Sequence, residues 1–509
     1  MKYFYEKTDY TKFKSNIFYD DLLIMDDREF VDWIKLLRKE VVDNWNKGMP
    51  PVVGKNEIDV IASFQKLRKF FTPDLILSDK DCLGIIRNFN KYGTECNQFF
   101  PTMLKTRITI GKDSNKSKSI YDAFSRDDLL DAFMRTIKRT TKRDSMYIYS
   151  KSLTKQTNED EVCYMGGDGY KWILDNIKKL SNYGLWLNEV DSCGDEYVYL
   201  TKTDINKLIE LKYISDKELI NVHLLKDDKK YLIRYYKKNQ RLFPGIIQIF
   251  RMSFGTHPVV NFPPTTAKFL YEKYTEHINK DTINIYDPSA GWGGRILGAM
   301  SLSKRLHYIG TDPNMDNFIP ELNITRYEYL AEFYNKKCIE STNKYFNKFF
   351  ESKENKNTYE LYQLGSENIY LDPRFQKYKG KIDFVFTSPP YFNREQYGKS
   401  GGQSYLQYPE YENWRDNFLK PTLKTAVEYL DNDRYLCWNI ASIKVSKTEY
   451  LPLEEDSNKI LEDLGMKYIG VWKMLMSRVI GLQMNKILNC VYIDGIPHKF
   501  EPIFVYYKS

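Results

Sequence analysis

The chain has 509 residues, with 76 Lys and Arg against 68 Asp and Glu, giving a formal net charge of +8. This length predicts roughly two to four domains with a sizeable core. The first ten residues are charged rather than apolar, and no apolar run reaches the ~18 residues needed to span a bilayer. We therefore expect a cytoplasmic protein with no membrane partner, and we expect the excess positive charge to favour a polyanion only mildly.

The cysteine and histidine patterns bear on the redox compartment and on the presence of a metal site. The seven cysteines show no C-x-x-C pairing, and the five histidines are scattered without the spacing of metal ligands. These patterns predict a reducing compartment with free core cysteines, and no metal site.

The first 241 residues are predicted to form a mainly helical region. Apolar residues recur at helical spacing in Asp27 to Asn46, Asn56 to Phe71, Asp127 to Ile137 and Gly169 to Leu185. Two basic segments stand out. Their cations are Lys138, Arg139, Lys142 and Arg143 in the first, and Lys230, Arg234, Lys237 and Lys238, interleaved with tyrosines, in the second. Such clusters suit phosphate contact and base stacking, although a solvated charged face would have the same composition.

A glycine-rich turn follows a short predicted strand at Ile283 to Tyr286. The turn runs from Asp287 to Arg295 and leads into a predicted helix from Ile296 to Leu302. Strand, glycine turn and helix in this order let the backbone approach a nucleotide-like ligand. A carboxylate at Asp287 would repel a pyrophosphate but suits the ammonium of an amino-acid-like cofactor.

The next predicted strand, Leu306 to Gly310, ends in Thr311-Asp312. An acid after the second strand of such a fold is placed to accept hydrogen bonds from a ribose diol. Asp312 is therefore our candidate for that contact.

A third rigid loop follows the apolar stretch Ile382 to Phe386, in the sequence Thr387-Ser388-Pro389-Pro390-Tyr391. The two prolines end the strand because neither can donate to a backbone ladder. The Ser388 oxygen and the carbonyls of the turn could accept both N–H bonds of an exocyclic amine while Tyr391 stacks on its ring. An ordinary Pro-Pro turn with a core tyrosine is the competing interpretation.

The remaining residues complete an α/β pattern. A predicted helix (Tyr411 to Leu430) and strand (Arg434 to Ile440) precede a further helix, Ser457 to Leu464. Two aromatic-rich strands, Tyr468 to Met476 and Phe500 to Tyr507, end the sequence. The alternation predicts a parallel sheet covered on both faces, and the last pair predicts an antiparallel closing hairpin.

These motifs together resemble the S-adenosylmethionine-dependent amino-methyltransferases of DNA, which modify cytosine N4 or adenine N6. Asp287 to Gly294 looks like the cofactor loop of that family, and Ser388 to Tyr391 looks like its (Ser/Asp/Asn)-Pro-Pro-(Tyr/Phe/Trp) motif. The resemblance covers roughly Pro258 to Ser509 and departs from the common pattern at Trp292, Gly294 and Arg295. It implies a Rossmann-like methyltransferase domain over residues 242–509.

The resemblance also implies S-adenosyl-L-methionine as cofactor and assigns roles to particular residues. Ser366 and Glu367 match the position that contacts adenine, while Phe262 and Thr265 lie in a segment similar to an additional cofactor-side motif. The implied cofactor-binding residues are Asp287, Pro288, Ala290, Gly291, Gly293, Asp312, Ser366, Glu367, Phe262 and Thr265. The implied catalytic residues are Ser388, Pro389, Pro390 and Tyr391.

The implied substrate is a flipped DNA base. Serine at position 388 favours cytosine N4 over adenine N6, while RNA or protein amine acceptors and a catalytically silent nucleic-acid-binding protein remain alternatives. No large target-recognition insert fits between the motifs or after the last strand, so residues 1–241 are the candidate DNA-binding region. DNA is the expected partner, in a bacterial, phage or viral setting, and an associated restriction endonuclease is a further candidate that the sequence itself does not reveal. Phe392 to Tyr408 is either a lid, a DNA-contacting loop or a plain connection.

Overall fold

The computed structural model describes part of the chain and divides it into two compact units. The described residues are 8–51, 54–87, 92–108, 118–142, 146–152, 160–165, 189–190, 196–200, 210, 229–235, 241–243, 246, 259–339, 357–397, 402–445, 449–476 and 488–509. The first unit comprises residues 1–7, 54–120 and 257–509, and the second comprises residues 8–53 and 121–256. This division differs from the boundary at residues 241 and 242 that the sequence favours.

The helices and strands are numbered along the chain. The α-helices are α1 (Tyr19–Ile24), α2 (Asp27–Asn46), α3 (Glu57–Lys69), α4 (Ile120–Ser125), α5 (Asp127–Lys142), α6 (Pro264–Thr275), α7 (Gly294–Met300), α8 (Arg326–Phe333), α9 (Ser404–Gln407), α10 (Tyr411–Trp414), α11 (Lys420–Tyr429) and α12 (Leu453–Asp463). The strands are β1 (Ile76–Leu77), β2 (Gly84–Ile86), β3 (Arg107–Ile108), β4 (Met146–Ser152), β5 (Asp160–Met165), β6 (Glu189–Val190), β7 (Glu196–Leu200), β8 (Lys229–Tyr235), β9 (Ile283–Asp287), β10 (Leu306–Thr311), β11 (Phe318–Ile319), β12 (Ile324–Thr325), β13 (Thr358–Tyr362), β14 (Ile382–Thr387), β15 (Glu395–Gln396), β16 (Leu430–Asn439), β17 (Ile443–Lys444), β18 (Tyr450–Leu451), β19 (Lys467–Leu475), β20 (Cys490–Ile493) and β21 (Ile496–Lys508).

The first unit is built on a ten-stranded mixed sheet in the order β1-β2-β19-β21-β16-β14-β9-β10-β13, with β20 beside β21. Strands β13, β10, β9, β14 and β16 are parallel. Strand β21 pairs antiparallel with both β16 and β19. The predicted Rossmann-like parallel sheet and its antiparallel closing hairpin are therefore confirmed.

Strand β14 shows why the sheet is covered on both faces. All six of its residues are buried, as expected for a parallel strand at the centre of an α/β sheet. Because successive side chains alternate between faces, Phe384 and Phe386 enter one apolar cluster with α6 and α7. Val385 enters the opposite cluster with α11 and α12.

Residues 54–120 belong to the first unit because they complete its sheet and core. Gly84 in β2 pairs with Trp472 in β19, and Phe64, Phe99 and Phe100 are fully buried in the same cluster as β9. The buried Lys268 amine donates to the carbonyls of Leu67, Arg68 and Phe70 at 3.2, 2.9 and 2.7 Å. These contacts join segments about two hundred residues apart in sequence. Local sequence patterns cannot predict contacts at that separation.

The second unit combines helices with a sheet. Helix α2 begins where predicted because the Asp26 carboxylate accepts hydrogen bonds from the amides of Arg28 and Glu29, both at 2.8 Å. Strands β4 to β8 form a five-stranded antiparallel sheet in the order β5-β4-β8-β7-β6, which adds strands to a region expected to be mainly helical. The predicted helix from Gly169 to Leu185 lies outside the described residues. Within the described chain, no helix is long and apolar enough to cross a membrane.

Candidate active site

The carboxyl ends of β9, β10 and β14 bring the sequence-predicted loops to one rim of the sheet. Strands β9 and β14 are direct neighbours, with Ile285 opposite Phe384, and their last residues meet. The Thr387 hydroxyl donates to Asp287 Oδ1 at 2.6 Å. The glycine turn and the double-proline loop therefore share one edge, where open α/β sheets bind their ligands.

The glycine turn is shaped by its left-handed residues. Gly291 and Gly293 have φ angles of +64° and +79°, which favour glycine. A Cβ atom at position 293 would lie 2.6 Å from the Phe100 ring and 2.9 Å from Leu330, so this position has no room for a side chain. Ala290 N donates to Thr311 O at 2.9 Å, and Thr311 donates to the carbonyl of Pro288. The turn is thereby fixed against the end of β10.

Asp287 is fully buried inside the turn. Its Oδ2 accepts from Arg295 Nε at 2.8 Å and from Tyr308 OH at 2.5 Å. Burial disfavours the Arg295 cation, but the Asp287 carboxylate raises the pKa of that guanidinium above its usual value. The Asp287 carboxylate is therefore committed to groups of the protein, and its contact with a cofactor ammonium remains a prediction.

Asp312 lies in a cavity beside the ends of β10 and β13. The cavity is lined by Asp312, Asn314, Asn317, Thr325, Tyr327, Leu361, Tyr362 and Gln363. Asp312 Oδ1 accepts from the Asn314 amide at 2.6 Å, and Oδ2 accepts from Asn317 Nδ2 at 3.3 Å and from the Tyr327 hydroxyl. Burial nevertheless raises the pKa of Asp312 to about 6. One lone pair on Oδ1 is left for a hydroxyl donor such as a ribose diol.

Two unsatisfied buried groups follow β13. Gln363 Nε2 and Glu367 Oε2 are buried without a hydrogen-bond partner, and burial raises the pKa of Glu367. Gln363 lines the cavity around Asp312. Because buried polar groups normally have partners, its unsatisfied donor fits a ligand with a hydrogen-bond acceptor on its edge, such as adenine. Gln363 was not predicted, although its place directly after the strand was a usable signal.

Three other predicted cofactor-side residues have structural contacts. Ser366 Oγ lies 2.9 Å from Thr422 Oγ1, and the Phe262 ring packs edge-on against Phe386 with centroids 5.1 Å apart. Thr265 is buried in the first turn of α6. None of the three lines the cavity around Asp312, so their roles toward a cofactor remain predictions.

The double-proline loop presents Ser388 and Tyr391, both partly buried, at the rim. The Tyr391 hydroxyl lies 3.3 Å from Asn439 O and 3.4 Å from Asn439 Oδ1. Burial raises the pKa of Tyr391 well above its usual value, an effect that a hydrogen bond with Ser388 opposes. The tyrosine is thus neutral and held by the neighbouring strand β16.

Phe392, directly after the loop, has a φ angle of +46°, which is unusual for a bulky residue and marks local backbone strain. Its buried ring packs against Tyr411 and Trp414, each at a centroid distance of 5.7 Å. This packing stabilises the strained residue and so fixes the exit of the loop. Sequence patterns do not reveal a strained φ angle, and Phe392 was not predicted.

The segment after the loop is also fixed from two sides. Strand β15 pairs antiparallel with β3, and the Tyr397 ring lies 5.5 Å from Trp292 of the glycine turn. Nearby, burial raises the pKa of Glu501 to about 7, with Glu395 adding to the shift and Arg394 opposing it. Trp292, one of the departures from the family pattern, therefore joins the turn to the residues that follow Tyr391.

The predicted nucleic-acid-binding cations are only partly described. Lys138 donates to the Met25 carbonyl and lies 5.5 Å from the Phe30 ring centroid. In β8, Lys230 is in register with Lys151, and Arg234 with Tyr147 and Tyr197. Arg139 and Lys142 belong to α5, whereas Arg143, Lys237 and Lys238 lie outside the described residues. Their contact with nucleic acid remains a prediction.

The described part of the chain holds no group of three or more His, Cys, Asp or Glu side chains arranged to bind a metal ion.

Comparisons with known proteins give likenesses of fold. No protein-family model and no curated protein matches the sequence. A candidate DNA modification methylase from Thermus thermophilus, solved with S-adenosyl-L-methionine, is 19% identical over 28% of this chain and 54% of that chain (TM-score 0.19). In a selenomethionine form of that protein the match covers 46% of its length, so this chain spans about half of it.

Two further solved structures align over longer stretches. A SAM-dependent methyltransferase from Methanosarcina mazei is 11% identical over 49% of this chain and 99% of that chain (TM-score 0.26). A TehB-like SAM-dependent methyltransferase from Corynebacterium glutamicum is 11% identical over 52% of this chain and 95% of that chain (TM-score 0.25). The fold assigned above is based on the strand order of the chain itself.

Proposed function

We propose that the protein transfers a methyl group from S-adenosyl-L-methionine to the exocyclic amine of a flipped DNA base, with cytosine N4 as the favoured acceptor. The observation that carries this proposal is the 2.6 Å contact between Asp287 and Thr387. It joins the end of the glycine turn to the residue before Ser388, so a donor held at the turn and an amine held at the loop would meet at one edge of the sheet.

The residues around the glycine turn fit the proposed cofactor. The Asp312 carboxylate could accept a hydrogen bond from a hydroxyl group in its cavity, where Gln363 offers an unsatisfied donor. Glu367, four residues further along the chain, has an unsatisfied buried oxygen. When bound, the sulfonium would supply an electrophilic methyl group. Because Asp287 is saturated, we assign the ammonium to backbone carbonyls of the turn rather than to that carboxylate.

The double-proline loop would activate the amine. The nitrogen of a base amine is a poor nucleophile because its lone pair is delocalised into the ring. Hydrogen bonds from both amine protons to the Ser388 hydroxyl and the Pro389 carbonyl would favour a tetrahedral nitrogen and direct its lone pair toward the methyl group. Transfer would be an in-line displacement, in which the nitrogen–carbon bond forms as the carbon–sulfur bond of the sulfonium breaks. S-Adenosylhomocysteine would be the leaving group, and the proton would pass from the nitrogen to solvent water afterwards. Alignment and exclusion of water would supply most of the rate.

A base within a duplex must leave the stack before its amine can enter this loop. Flipping costs a few kcal/mol, and stacking on Tyr391 would offset part of that at ~1–3 kcal/mol per base. We assign contact with DNA to the second unit, where β8 contributes Arg234, in register with Tyr147 of β4 and Tyr197 of β7, and Lys230, in register with Lys151 of β4. A cation–tyrosine combination suits phosphate contact and stacking.

The acceptor is identified by incubating the protein with methyl-labelled S-adenosylmethionine and, in parallel, duplex DNA, structured RNA or a protein extract. We expect label in DNA, recovered by mass spectrometry of nucleosides as N4-methylcytosine. Label as N6-methyladenine would keep the mechanism and change the base. Label only in RNA or protein, or in none of the three, would contradict the DNA methyltransferase proposal.

A further inference from the structure

The Asp287 carboxylate is saturated by the protein. Oδ2 accepts from Arg295 and Tyr308, and Oδ1 accepts from Thr387 Oγ1 at 2.6 Å and from the Ser289 amide at 3.2 Å. A carboxylate offers about four lone pairs. Four hydrogen bonds reach this one, the longest from the Ser289 N–H, which is shared with Thr387 Oγ1. Since the side chain is also fully buried, its role is to hold other groups rather than to bind a ligand.

The groups that it holds belong to both functional loops. Thr387 precedes Ser388 directly, and its hydroxyl oxygen also accepts from the Ser289 amide at 3.1 Å. Arg295, in the first turn of α7, donates to the Ser289 carbonyl as well as to Asp287. One buried network therefore joins the glycine turn, the start of the helix after it and the last residue of β14.

We propose that Asp287, Arg295 and Thr387 form a positioning unit that holds the Ser388 loop at a fixed distance from the glycine turn and transmits donor binding from the turn to the loop. This inference rests on the function proposed above. None of the three residues touches the reacting atoms. The rate of an in-line transfer depends steeply on alignment, and a misplacement of 1 Å can cost about a hundredfold. Arg295, which departs from the family pattern, would thus help to position the Ser388 loop through Asp287.

The test is Thr387→Val, which keeps the shape of the side chain and removes only the hydroxyl, with Thr387→Ser as the matched control. We expect the valine variant to lose about tenfold or more in kcat, while its Kd for S-adenosylhomocysteine changes less than about threefold. The serine variant should recover most of the kcat. A role confined to fold stability would not separate kcat from cofactor affinity in this way.

Hydrogen exchange supplies a readout that requires no DNA substrate. In the wild type, S-adenosylhomocysteine should slow amide exchange in peptides covering residues 287–297 and in those covering residues 386–393. In Thr387→Val the protection should persist in the first segment and be lost in the second. Protection of both segments in the variant would overturn the inference, as would equal losses of kcat and cofactor affinity.

Two outcomes need separate treatment. If the wild type transfers no methyl group to DNA, the proposed function fails, and the exchange pattern alone decides the positioning role. If thermal melting shows that Thr387→Val does not fold, Thr387→Ala takes its place, because it removes the same hydroxyl, and with it the contacts to Asp287 and Ser289, without adding a methyl group. It should give the same loss of protection in residues 386–393, and full protection there would overturn the inference.

Discussion

At the scale of single residues, the ionisation of Asp312 should make cofactor affinity depend on pH. Its pKa is raised to about 6 by burial, so the ionised carboxylate that best accepts ribose hydroxyls is lost as the pH falls through 6. We expect cofactor affinity to fall about tenfold between pH 7.5 and pH 5, as for one group that must be deprotonated. Calorimetric titration with S-adenosylhomocysteine measures this dependence.

The matched variant is Asp312→Asn, which should bind more weakly at pH 7.5 and show little change across the range. A wild-type affinity with the same pH profile as the asparagine variant would remove Asp312 from the cofactor site.

Gln363 supports a second prediction at this scale. Its buried Nε2 has no partner, so Gln363→Leu, similar in size, removes an unsatisfied donor. The free protein should keep or slightly gain thermal stability, because an unsatisfied buried group costs about 1–3 kcal/mol. Affinity for S-adenosylhomocysteine should fall by about fivefold to tenfold. Lower stability with unchanged affinity would show that the amide has a structural role instead.

The sequence predicted the location of site residues well where a polar side chain directly follows a buried strand. Asp312 and Ser388 follow buried strands, and their positions at the rim agree with that expectation. Asp287 was assigned a ligand contact because sequence could not show that Arg295, Tyr308 and Thr387 would converge on it. These donors come from three different elements, and their convergence is a product of the tertiary fold.

At the scale of elements, the glycine turn depends on the space around Gly293. Its φ of +79° is unfavourable for a side chain, and a Cβ atom would overlap the Phe100 ring. Gly293→Ala should therefore lower the free energy of unfolding by about 2–4 kcal/mol, the sum of backbone strain and overpacking, and should weaken cofactor binding. Chemical denaturation and calorimetry measure the two effects.

Gly380 provides the control, because its φ is +65° and no heavy atom lies within 4 Å of a Cβ atom built there. Gly380→Ala should lose only the strain contribution, about 1 kcal/mol, with unchanged cofactor affinity. Equal effects of the two substitutions would show that contact with Phe100 does not determine the shape of the turn.

Most elements of the first unit were predictable because their apolar residues recur at regular spacing or because a turn residue or proline marks where they end. Strand β14 ends at two prolines, and the β19–β21 hairpin matches the predicted aromatic strands. The short strands β2, β3 and β15 were missed, since two or three residues carry too little periodicity. They form only because a partner strand distant in sequence accepts their hydrogen bonds.

At the scale of the whole molecule, the structure changes the domain boundary. Residues 54–120 supply β2 to the large sheet and Phe64, Phe99 and Phe100 to its core. Thr102 donates to Asn317 at 2.9 Å, and Asn317 in turn contacts Asp312. The N-terminal half of the chain thus supports the cavity at Asp312 directly.

A fragment covering residues 242–509 should therefore fail to fold cooperatively, although it contains every motif recognised in the sequence. Losing three buried phenylalanines alone removes about 9 kcal/mol or more, at 3–5 kcal/mol each, which is comparable to the whole stability of a domain. Thermal unfolding followed by circular dichroism should show no sharp transition. A cooperative transition with cofactor binding in this fragment would restore the boundary at residue 241.

We propose that Ser388, at the rim that it shares with the glycine turn, activates the amine that receives the methyl group. Methyl transfer from labelled S-adenosylmethionine to duplex DNA should be compared between the wild type and Ser388→Ala, with cofactor affinity determined on the same preparations. We expect labelled nucleoside from the wild type, at least a hundredfold less from the variant, and equal affinity for S-adenosylhomocysteine. Full transfer by Ser388→Ala would exclude this role for the serine.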